Sequence, residues 1–258
     1  MDEHGNWRKI KKILELSWSL AKANFKLRNE GSYLGIFWYL LEPLLMFAVI
    51  LLVAMGSSFS QIESYPVYLL IGLIVFNFFS GTTILASNSI ANNAIFLKSM
   101  KINSEAFVIS QVIQSIFSHL FELIVLVILM LAMRLSILGI LFYLILFIFI
   151  ALFVLGVSFI LATIGVYVTD ISNVWNVLSR ILWFITPIFY FSPKGANLFL
   201  INLFNPMFYF ISIARSVLIQ AEFPELWLVL GACAFSIIFF VLGIFIFEKY
   251  KNEFAEVL

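Results

Sequence analysis

Long apolar runs alternate with short polar segments from residue 36 to near the end of the chain. A helix needs about 20 apolar residues to cross roughly 30 Å of hydrocarbon. The pattern therefore predicts an all-α integral membrane protein with six transmembrane helices, at residues 36–55, 66–87, 106–133, 137–168, 177–191 and 226–247. The fourth run is longer than a perpendicular crossing needs, which indicates tilt or extension beyond the bilayer.

The first 35 residues have a different pattern, with apolar residues three or four positions apart and basic residues on the opposite face. The apolar stripe consists of Trp7, Ile10, Leu14, Trp18, Ala21 and Phe25. Such a stripe, with Lys and Arg opposite, suits the headgroup boundary of an anionic leaflet. It predicts an N-terminal amphipathic helix that lies at the membrane interface.

Two polar regions interrupt the predicted spans. Residues 88–105 form a loop with a predicted short helix at 95–100. Residues 192–225 are only intermittently apolar and contain several prolines. Irregular backbone at membrane depth is tolerated only where protein or a water-filled cavity satisfies it. We therefore expect re-entrant or interfacial helices in 192–225, before the last crossing.

Charge distribution predicts the orientation. Charged residues make up 11% of the chain and hydrophobic ones 63%, whereas about 25% of the residues in a soluble domain are charged. With six crossings, all but three of the 15 Lys and Arg residues share one side; the exceptions are Arg134, Lys194 and Arg215. The positive-inside rule then makes both termini, the 88–105 loop and the tail 248–258 cytoplasmic. A net charge of +1 argues against a nucleic-acid partner.

Motifs for independent catalysis are absent from the sequence. It contains no Gly-rich phosphate loop, no zinc-protease motif and no serine-hydrolase elbow. Its two histidines and single cysteine give no metal-binding spacing. We therefore expect that the chain is not an enzyme and binds no cofactor or metal itself.

Ionisable residues inside predicted spans are candidate functional groups, because a charge at the helix centre is costly unless it meets a partner or water. His119 and Glu122 lie three residues apart and share a helix face. They suit an interhelical polar contact, a proton relay or the lining of a wet substrate path. Glu42 precedes Pro43 near the cytoplasmic boundary and suits a structural role or substrate contact, and Asp170 could pair with Arg180.

Aromatic residues make up 17% of the chain. One group surrounds the predicted re-entrant region: Trp183, Phe184, Phe189, Tyr190, Phe191, Phe208, Tyr209 and Phe210. Most aromatic residues in such a protein face lipid or pack inside. Aromatic faces also stack on the apolar sides of sugar rings, so a glycan path is a second interpretation of this group.

Several segments carry a family resemblance, spread over nearly the whole chain. They are residues 23–28 (ANFKLR), 31–44 (GSYLGIFWYLLEPL), 65–73 (YPVYLLIGL), 170–174 (DISNV), 187–190 (PIFY), 205–207 (NPM) with Arg215, and 254–258 (FAEVL). In order and spacing they resemble the membrane subunit of type-2 ABC exporters, in the polysaccharide-export branch of O-antigen, teichoic acid and capsule permeases. The chain departs from that pattern at Asn103-Ser104-Glu105, where family members often have a Pro-Arg-Glu-like turn.

The resemblance implies a type-2 ABC exporter fold in a bacterial cytoplasmic membrane, working as a homodimer. Two copies of a separate ATPase subunit, which hold ATP and Mg²⁺, would dock below it. The residues implied in docking are Ile95, Phe96, Leu97, Lys98 and Lys101. The implied substrate is a lipid-diphosphate-linked glycan that enters laterally from the membrane lipids. The residues implied in its path are Arg28, Trp38, Tyr39, Glu42, Trp183, Phe184, Phe189, Tyr190 and Arg215.

Two alternatives remain open at this point. A drug or lipid exporter of the same family would share the fold and the docking surface without needing the aromatic group. A proton-coupled carrier, or a membrane-embedded lipid-modifying enzyme, would instead be built around His119 and Glu122 and would need no ATPase partner.

Overall fold

The computed structural model describes residues 3–29, 38–54, 62, 64–100, 102–195 and 197–258, and all regular structure in these ranges is helical. A 3₁₀ turn (Ala91–Asn93) precedes α4, and a π-helical turn (Ser216–Gln220) continues α9. The helices are α1 (Glu3–Asn29), α2 (Trp38–Ala54), α3 (Tyr65–Ser87), α4 (Ala94–Met100), α5 (Glu105–Ala132), α6 (Gly139–Tyr167), α7 (Ile171–Ile185), α8 (Asn197–Asn202), α9 (Pro206–Arg215), α10 (Leu226–Tyr250) and α11 (Phe254–Val257).

Four of the described helices, α3, α5, α6 and α10, are long and apolar enough to cross a membrane. The other two predicted spans correspond to α2, with 17 residues, and α7, with 15. At 1.5 Å per residue a helix of that length covers only about 25 Å. The count of six crossings therefore stays a prediction, while the all-helical membrane fold is confirmed.

Helix α3 lies at the centre of the bundle and packs against α2, α5, α6, α7 and α9. Most of its residues are buried, including three hydroxyl residues in its second half, Thr82, Thr83 and Ser87. Thr82 and Thr83 donate hydrogen bonds to the carbonyls of Phe78 and Phe79 in the preceding turn. Their hydroxyls are thereby satisfied inside the helix, which lets them lie in an apolar interior.

Helices α6 and α10 make the most extensive contact among the described helices. A Cβ added at Gly156 would lie 2.3 Å from the carbonyl oxygen of Phe239, and one at Gly243 would lie 2.2 Å from that of Gly156. The hydroxyl of Ser236 donates across the same interface to the carbonyl of Phe149 at 2.9 Å. Small residues at these positions are what allows the two backbones to touch.

Helix α1 packs along α5, a contact that the sequence pattern did not predict. Ser17 and Ala21 are fully buried there, and the rings of Trp18 and Phe25 meet the edge of Phe117 at 5.3 and 5.8 Å. The earlier part of the predicted apolar stripe remains exposed. The position of this helix at the membrane interface stays a prediction.

Helix α7 begins and ends earlier than the run predicted at 177–191. Its first turns contain Ser172, Asn173 and Asn176, which hydropathy alone assigned to a polar break. These residues share one side of an amphipathic helix, so they do not prevent helix formation. The helix ends at Ile185 because Pro187 disfavours helical backbone at the residue before it.

The region 192–225 forms α8 and α9 with its π-helical turn. Helix α9 begins at Pro206, and the side chain of Asn205 caps it by accepting a hydrogen bond from the backbone N–H of Met207 at 3.1 Å. Nearly every residue of α9 is buried, against α3, α6 and α10. Its re-entrant path through a membrane stays a prediction.

Candidate docking surface and substrate path

The C-terminal tail 251–258 folds back onto the ends of α4 and α6, and we call this end of the bundle the tail end. The ammonium group of Lys251 lies 2.9 Å from a carboxylate oxygen of Glu105 and also pairs with Glu248. Burial lowers the pKa of Lys251, but the hydrogen bonds and charges of the two carboxylates outweigh it and raise the pKa. Tyr167 donates a hydrogen bond of 2.7 Å to Glu253. These contacts fix the tail to the bundle.

Helix α4 is anchored at the tail end by one face only. Leu97 is buried in an apolar cluster with Phe247 and Phe254, whose rings meet edge to face at 5.3 Å. Its neighbours Ile95 and Phe96 are 80% and 50% exposed, and Lys98 is exposed beside them. The helix thus exposes the apolar pair Ile95 and Phe96 while its opposite face is held by the packing of Leu97. The fifth predicted docking residue, Lys101, lies outside the described residues.

Helix α7 carries a polar stripe that extends from Asn173 to Arg180. Asn173, Asn176 and Arg180 recur at spacings of three and four, which places them on one helix face. Trp175 fastens this helix to α3, because its indole N–H donates to the hydroxyl of Thr83 at 2.8 Å. Among the described ion pairs, none joins Asp170 to Arg180, so the helix-end pair that the sequence suggested is not formed.

At the other end of α7 the structure brings four predicted path residues together. The ring of Trp183 stacks on that of Phe189 at 5.4 Å. Phe184 and Tyr190 meet these two rings edge to face, at 4.9 and 5.2 Å. The side chain of Phe184 is 65% exposed and the other three are half-buried. Phe208 and Tyr209, which the sequence grouped with them, instead contact Trp227.

Arg215 is buried, and its guanidinium faces the backbone of the segment that leads into this aromatic group. Its guanidinium donates to the carbonyls of Pro187 and Ile188 at 2.7 Å each, and to that of Tyr68 at 3.1 and 3.2 Å. It also lies 3.4 Å from the centre of the Tyr68 ring. The cation is thus compensated by carbonyl dipoles and a ring face. This geometry favours positioning of the 187–190 segment over direct substrate contact.

Two tyrosines of α3 complete the attachment of that segment. The hydroxyl of Tyr65 donates to the carbonyl of Phe189 at 3.0 Å, and that of Tyr68 to the carbonyl of Tyr190 at 2.9 Å. Four successive carbonyls, from residue 187 to residue 190, therefore accept hydrogen bonds from Arg215 or these tyrosines. The aromatic group is held at a fixed place relative to the central helix.

His119 and Glu122 meet as their spacing predicted, and a third residue joins them. The two ring nitrogens of His119 lie 3.2 Å from a carboxylate oxygen of Glu122 and 2.8 Å from the hydroxyl of Tyr143 on α6. The imidazole also stacks on Phe147 at 4.6 Å. All three polar residues are buried. The arrangement clamps α5 to α6, and the proton-relay alternative stays a prediction.

Four predicted path residues cannot be compared with the structure. Arg28 belongs to α1, and Trp38, Tyr39 and Glu42 belong to α2, but their side chains fall outside the described part of the chain. Conversely, sequence reasoning gave no role to Tyr68 or Tyr143. Each is a tyrosine inside an apolar span, and the hydroxyl of such a residue needs a partner. That requirement is the signal that could have identified them.

Comparison with known proteins is consistent with this architecture. The family model described as ABC-2 type transporter matches residues 15–219. The chain is 23% identical over 243 residues to the O-antigen export system permease protein RfbA of Myxococcus xanthus, a match covering 92% of this chain and 93% of that protein. A protein of the same name from Klebsiella pneumoniae is 24% identical over 253 residues, covering 95% and 96%. Because the family model matches most of its length, the chain belongs to the ABC-2 type transporter family.

Proposed function

We propose that this chain is the transmembrane permease subunit of an ATP-driven exporter. The cargo is a lipid-linked polysaccharide of the O-antigen, teichoic acid or capsule type, moved across the bacterial cytoplasmic membrane with both termini of the chain on the cytoplasmic side. The permease works as a homodimer with two copies of a separate ATPase subunit, which binds ATP and Mg²⁺. Membership of the transporter family and the similarity to permease proteins of O-antigen export systems support this proposal.

The ATPase partnership is supported mainly by the packing of α4, which is buried on one face and exposed on the other. Adjacent exposed apolar residues on a polar connection between two spans, where lipid is not expected to cover them, suit a protein contact. Ile95 and Phe96 are such a pair, while Leu97 of the same helix is buried against the tail. Leu97 shares its apolar cluster with Ala86 of α3 and Phe107 of α5, which couples α4 to both spans. Movement of a docked ATPase can therefore reach the spans.

Support for a second copy of the chain comes from α7. One of its faces exposes five apolar residues, Val174, Val177, Leu178, Ile181 and Phe184, beside the polar stripe that contains Arg180. A short helix with an exposed cation next to its apolar face is poorly suited to lipid on all sides. A second copy of the chain could cover the apolar face, while water could solvate the polar stripe.

Support for a glycan cargo comes from the same helix. The side chains of Asn173, Asn176 and Arg180 on its polar stripe can form hydrogen bonds with hydroxyl groups. Beyond them, Trp183 and Phe189 present stacked rings. Amides can form hydrogen bonds with sugar hydroxyls, and aromatic faces can stack on the apolar sides of sugar rings. The drug- or lipid-exporter alternative does not need this combination, and Trp183→Ala leaving transport intact would favour it.

The test compares two substitutions of exposed phenylalanines. Phe96→Asp places a charge on α4, and Phe223→Asp makes the same change near the start of α10, where Phe223 is 87% exposed. Loss of one hot-spot side chain costs about 2 kcal/mol or more, which is a factor of about 30 in affinity. We expect Phe96→Asp to lose the co-purifying ATPase and surface glycan export, and Phe223→Asp to keep both.

The wild-type protein, solubilised from its native membrane, provides the reference for this comparison. A soluble ATPase should co-purify with it, and a strain lacking the chain should lose its surface glycan. A wild-type protein that purifies alone, without ATP-dependent activity, would overturn the proposal and return attention to His119 and Glu122. A strain that keeps its surface glycan would overturn the assignment of the cargo.

A further inference from the structure

A polar cavity lies between the end of α3 and the start of α7, on the tail end of the bundle. Its volume is about 300 Å³. Four asparagines and a serine contribute to its lining: Asn88, Asn92, Ser172, Asn173 and Asn176. Ile84 and Leu85 add an apolar wall. The lining contains amides, one hydroxyl and aliphatic carbon, and no charged side chain.

The chemistry of this lining suits a neutral, hydroxylated ligand. Each asparagine side chain offers two N–H donors and a carbonyl acceptor, so it can pair with a hydroxyl in either direction. Within the described residues, no hydrogen bond engages the side chains of the four lining asparagines, which leaves these donors and acceptors available. A diphosphate would instead call for Arg or Lys.

The size of the cavity limits the ligand to a small group. Ligand sites span roughly 300–1,000 Å³, and this cavity is at the lower limit. One sugar ring is a suitable occupant, with its hydroxyls towards the asparagines and its C–H face towards Ile84 and Leu85. An oligosaccharide would extend beyond the lining.

The walls of the cavity are fixed by contacts outside it. Trp175 donates its indole N–H to Thr83, which ties the two helices together next to the opening. The amide of Asn93 donates to the carbonyl of Ser89 at 2.8 Å and stiffens the turn that contains Asn92. A Cβ at Gly165 would lie 1.9 Å from the carbonyl oxygen of Ser87, so α6 also supports the end of α3. A site held in this way needs little reorganisation to bind.

We propose that this cavity binds one neutral sugar unit of the transported glycan and contributes to selection of the cargo. The inference rests on the proposed function and adds a recognition site for sugar, distinct from any site for a lipid diphosphate. Asn92 belongs to the 3₁₀ turn directly before α4. A ligand in the cavity therefore contacts the turn that leads directly into α4, the helix with the exposed pair Ile95 and Phe96.

The test measures sugar binding directly on the purified full-length chain in detergent. The probes are methyl α-D-mannopyranoside, methyl β-D-galactopyranoside and methyl N-acetyl-β-D-glucosaminide. Their binding is detected by saturation-transfer difference NMR, and inorganic pyrophosphate is added as a charged competitor. Asn173→Leu combined with Asn176→Leu removes two amides from the lining. Asn252→Leu makes the same type of change at an exposed position in the tail.

We expect saturable binding of at least one glycoside. The double variant should bind it at least tenfold more weakly, as expected for two lost hydrogen bonds, and Asn252→Leu should bind it like the wild type. Asn176→Asp, which keeps the size of the side chain, provides a second variant and should also weaken binding. The inference would be overturned by a wild type that binds none of the glycosides, by equal binding in the double variant, or by displacement of the glycoside by pyrophosphate.

Failure of this inference is distinguishable from failure of the proposed function. Surface glycan is measured in cells that lack the chain and in cells complemented with the wild type or the double variant. Normal glycan without the chain overturns the proposed function whatever the NMR result. Restored export by the wild type, together with absent sugar binding, overturns only the role of the cavity. Export restored by the wild type and lost in the double variant, with sugar binding lost as well, supports both.

Discussion

Replacement of Gly72 by alanine tests the attachment of the aromatic segment to α3. A Cβ at this position would lie 2.8 Å from Nη2 of Arg215 and 3.0 Å from the carbonyl oxygen of Ile188. These two atoms are hydrogen-bonded to each other at 2.7 Å. The added methyl group therefore pushes apart a buried donor and its acceptor, in the middle of the contacts that hold residues 187–190.

The size of the effect follows from two opposing terms. Alanine is favoured over glycine inside a helix by about 1 kcal/mol. Against this, one hydrogen bond from a charged group is weakened or lost, which costs about 1.5–3 kcal/mol. We expect Gly72→Ala to lower the free energy of unfolding by about 0.5–2 kcal/mol. For a chain of this size the melting temperature should then fall by roughly 1–8 °C.

Gly81→Ala is the matched control, because it makes the same change on the same helix. No atom lies within 4 Å of a Cβ at Gly81. Only the helix preference then remains, so stability should be unchanged or slightly higher. Thermal unfolding of both variants in one detergent, followed by intrinsic fluorescence, provides the measurement. A Gly72→Ala protein that melts at or above the temperature of Gly81→Ala would refute the proposed role of the Arg215 contacts.

Three further changes test separate contacts. Tyr143→Phe leaves a ring nitrogen of His119 without its partner and should cost about 1 kcal/mol of stability, measured by melting; complete loss of export at unchanged stability would instead favour the proton relay. Lys251→Met should make the tail sensitive to protease while Lys249→Met does not. Because the pKa of Lys251 is raised, the wild-type tail should stay protected below the ordinary lysine pKa of about 10.4 and become sensitive as pH rises through the raised value; equal cleavage of both variants would contradict this. The hydrogen bonds that Lys194 and Trp227 donate to Glu225 lower the pKa of its carboxyl group. Their contribution to the stability of the folded state is therefore present above the ordinary glutamate pKa of about 4.3 and is lost as pH falls through the lowered pKa. Tryptophan fluorescence of Glu225→Gln should therefore differ from wild type at neutral pH and converge with it in acid, and identical spectra at neutral pH would refute the contact.

Hydropathy predicted the long helices well because each apolar run ends at polar or turn-forming residues. The runs 66–87, 106–133 and 137–168 differ by at most two residues from α3, α5 and α6 at either end. The same averaging failed for α7, where Ser172, Asn173 and Asn176 lower the local hydropathy although the backbone is helical. A polar face contributes to the average in the same way as a polar loop. Only helical periodicity separates the two cases.

The candidate site was harder to predict because its contacts join distant residues to groups with no signature in the sequence. Arg215 contacts Tyr68 across 147 positions, and its acceptors are backbone carbonyls, which every residue has. A charged residue in an apolar region is a strong functional signal, but the same signal arises where carbonyls compensate the charge. The lining asparagines present the opposite problem. Each is uncharged and unremarkable in a polar segment, and their common chemistry emerges only because Trp175 and Thr83 bring the start of α7 to the end of α3. Charge therefore directed attention to Arg215, whereas the available hydrogen-bonding groups lie with the asparagines.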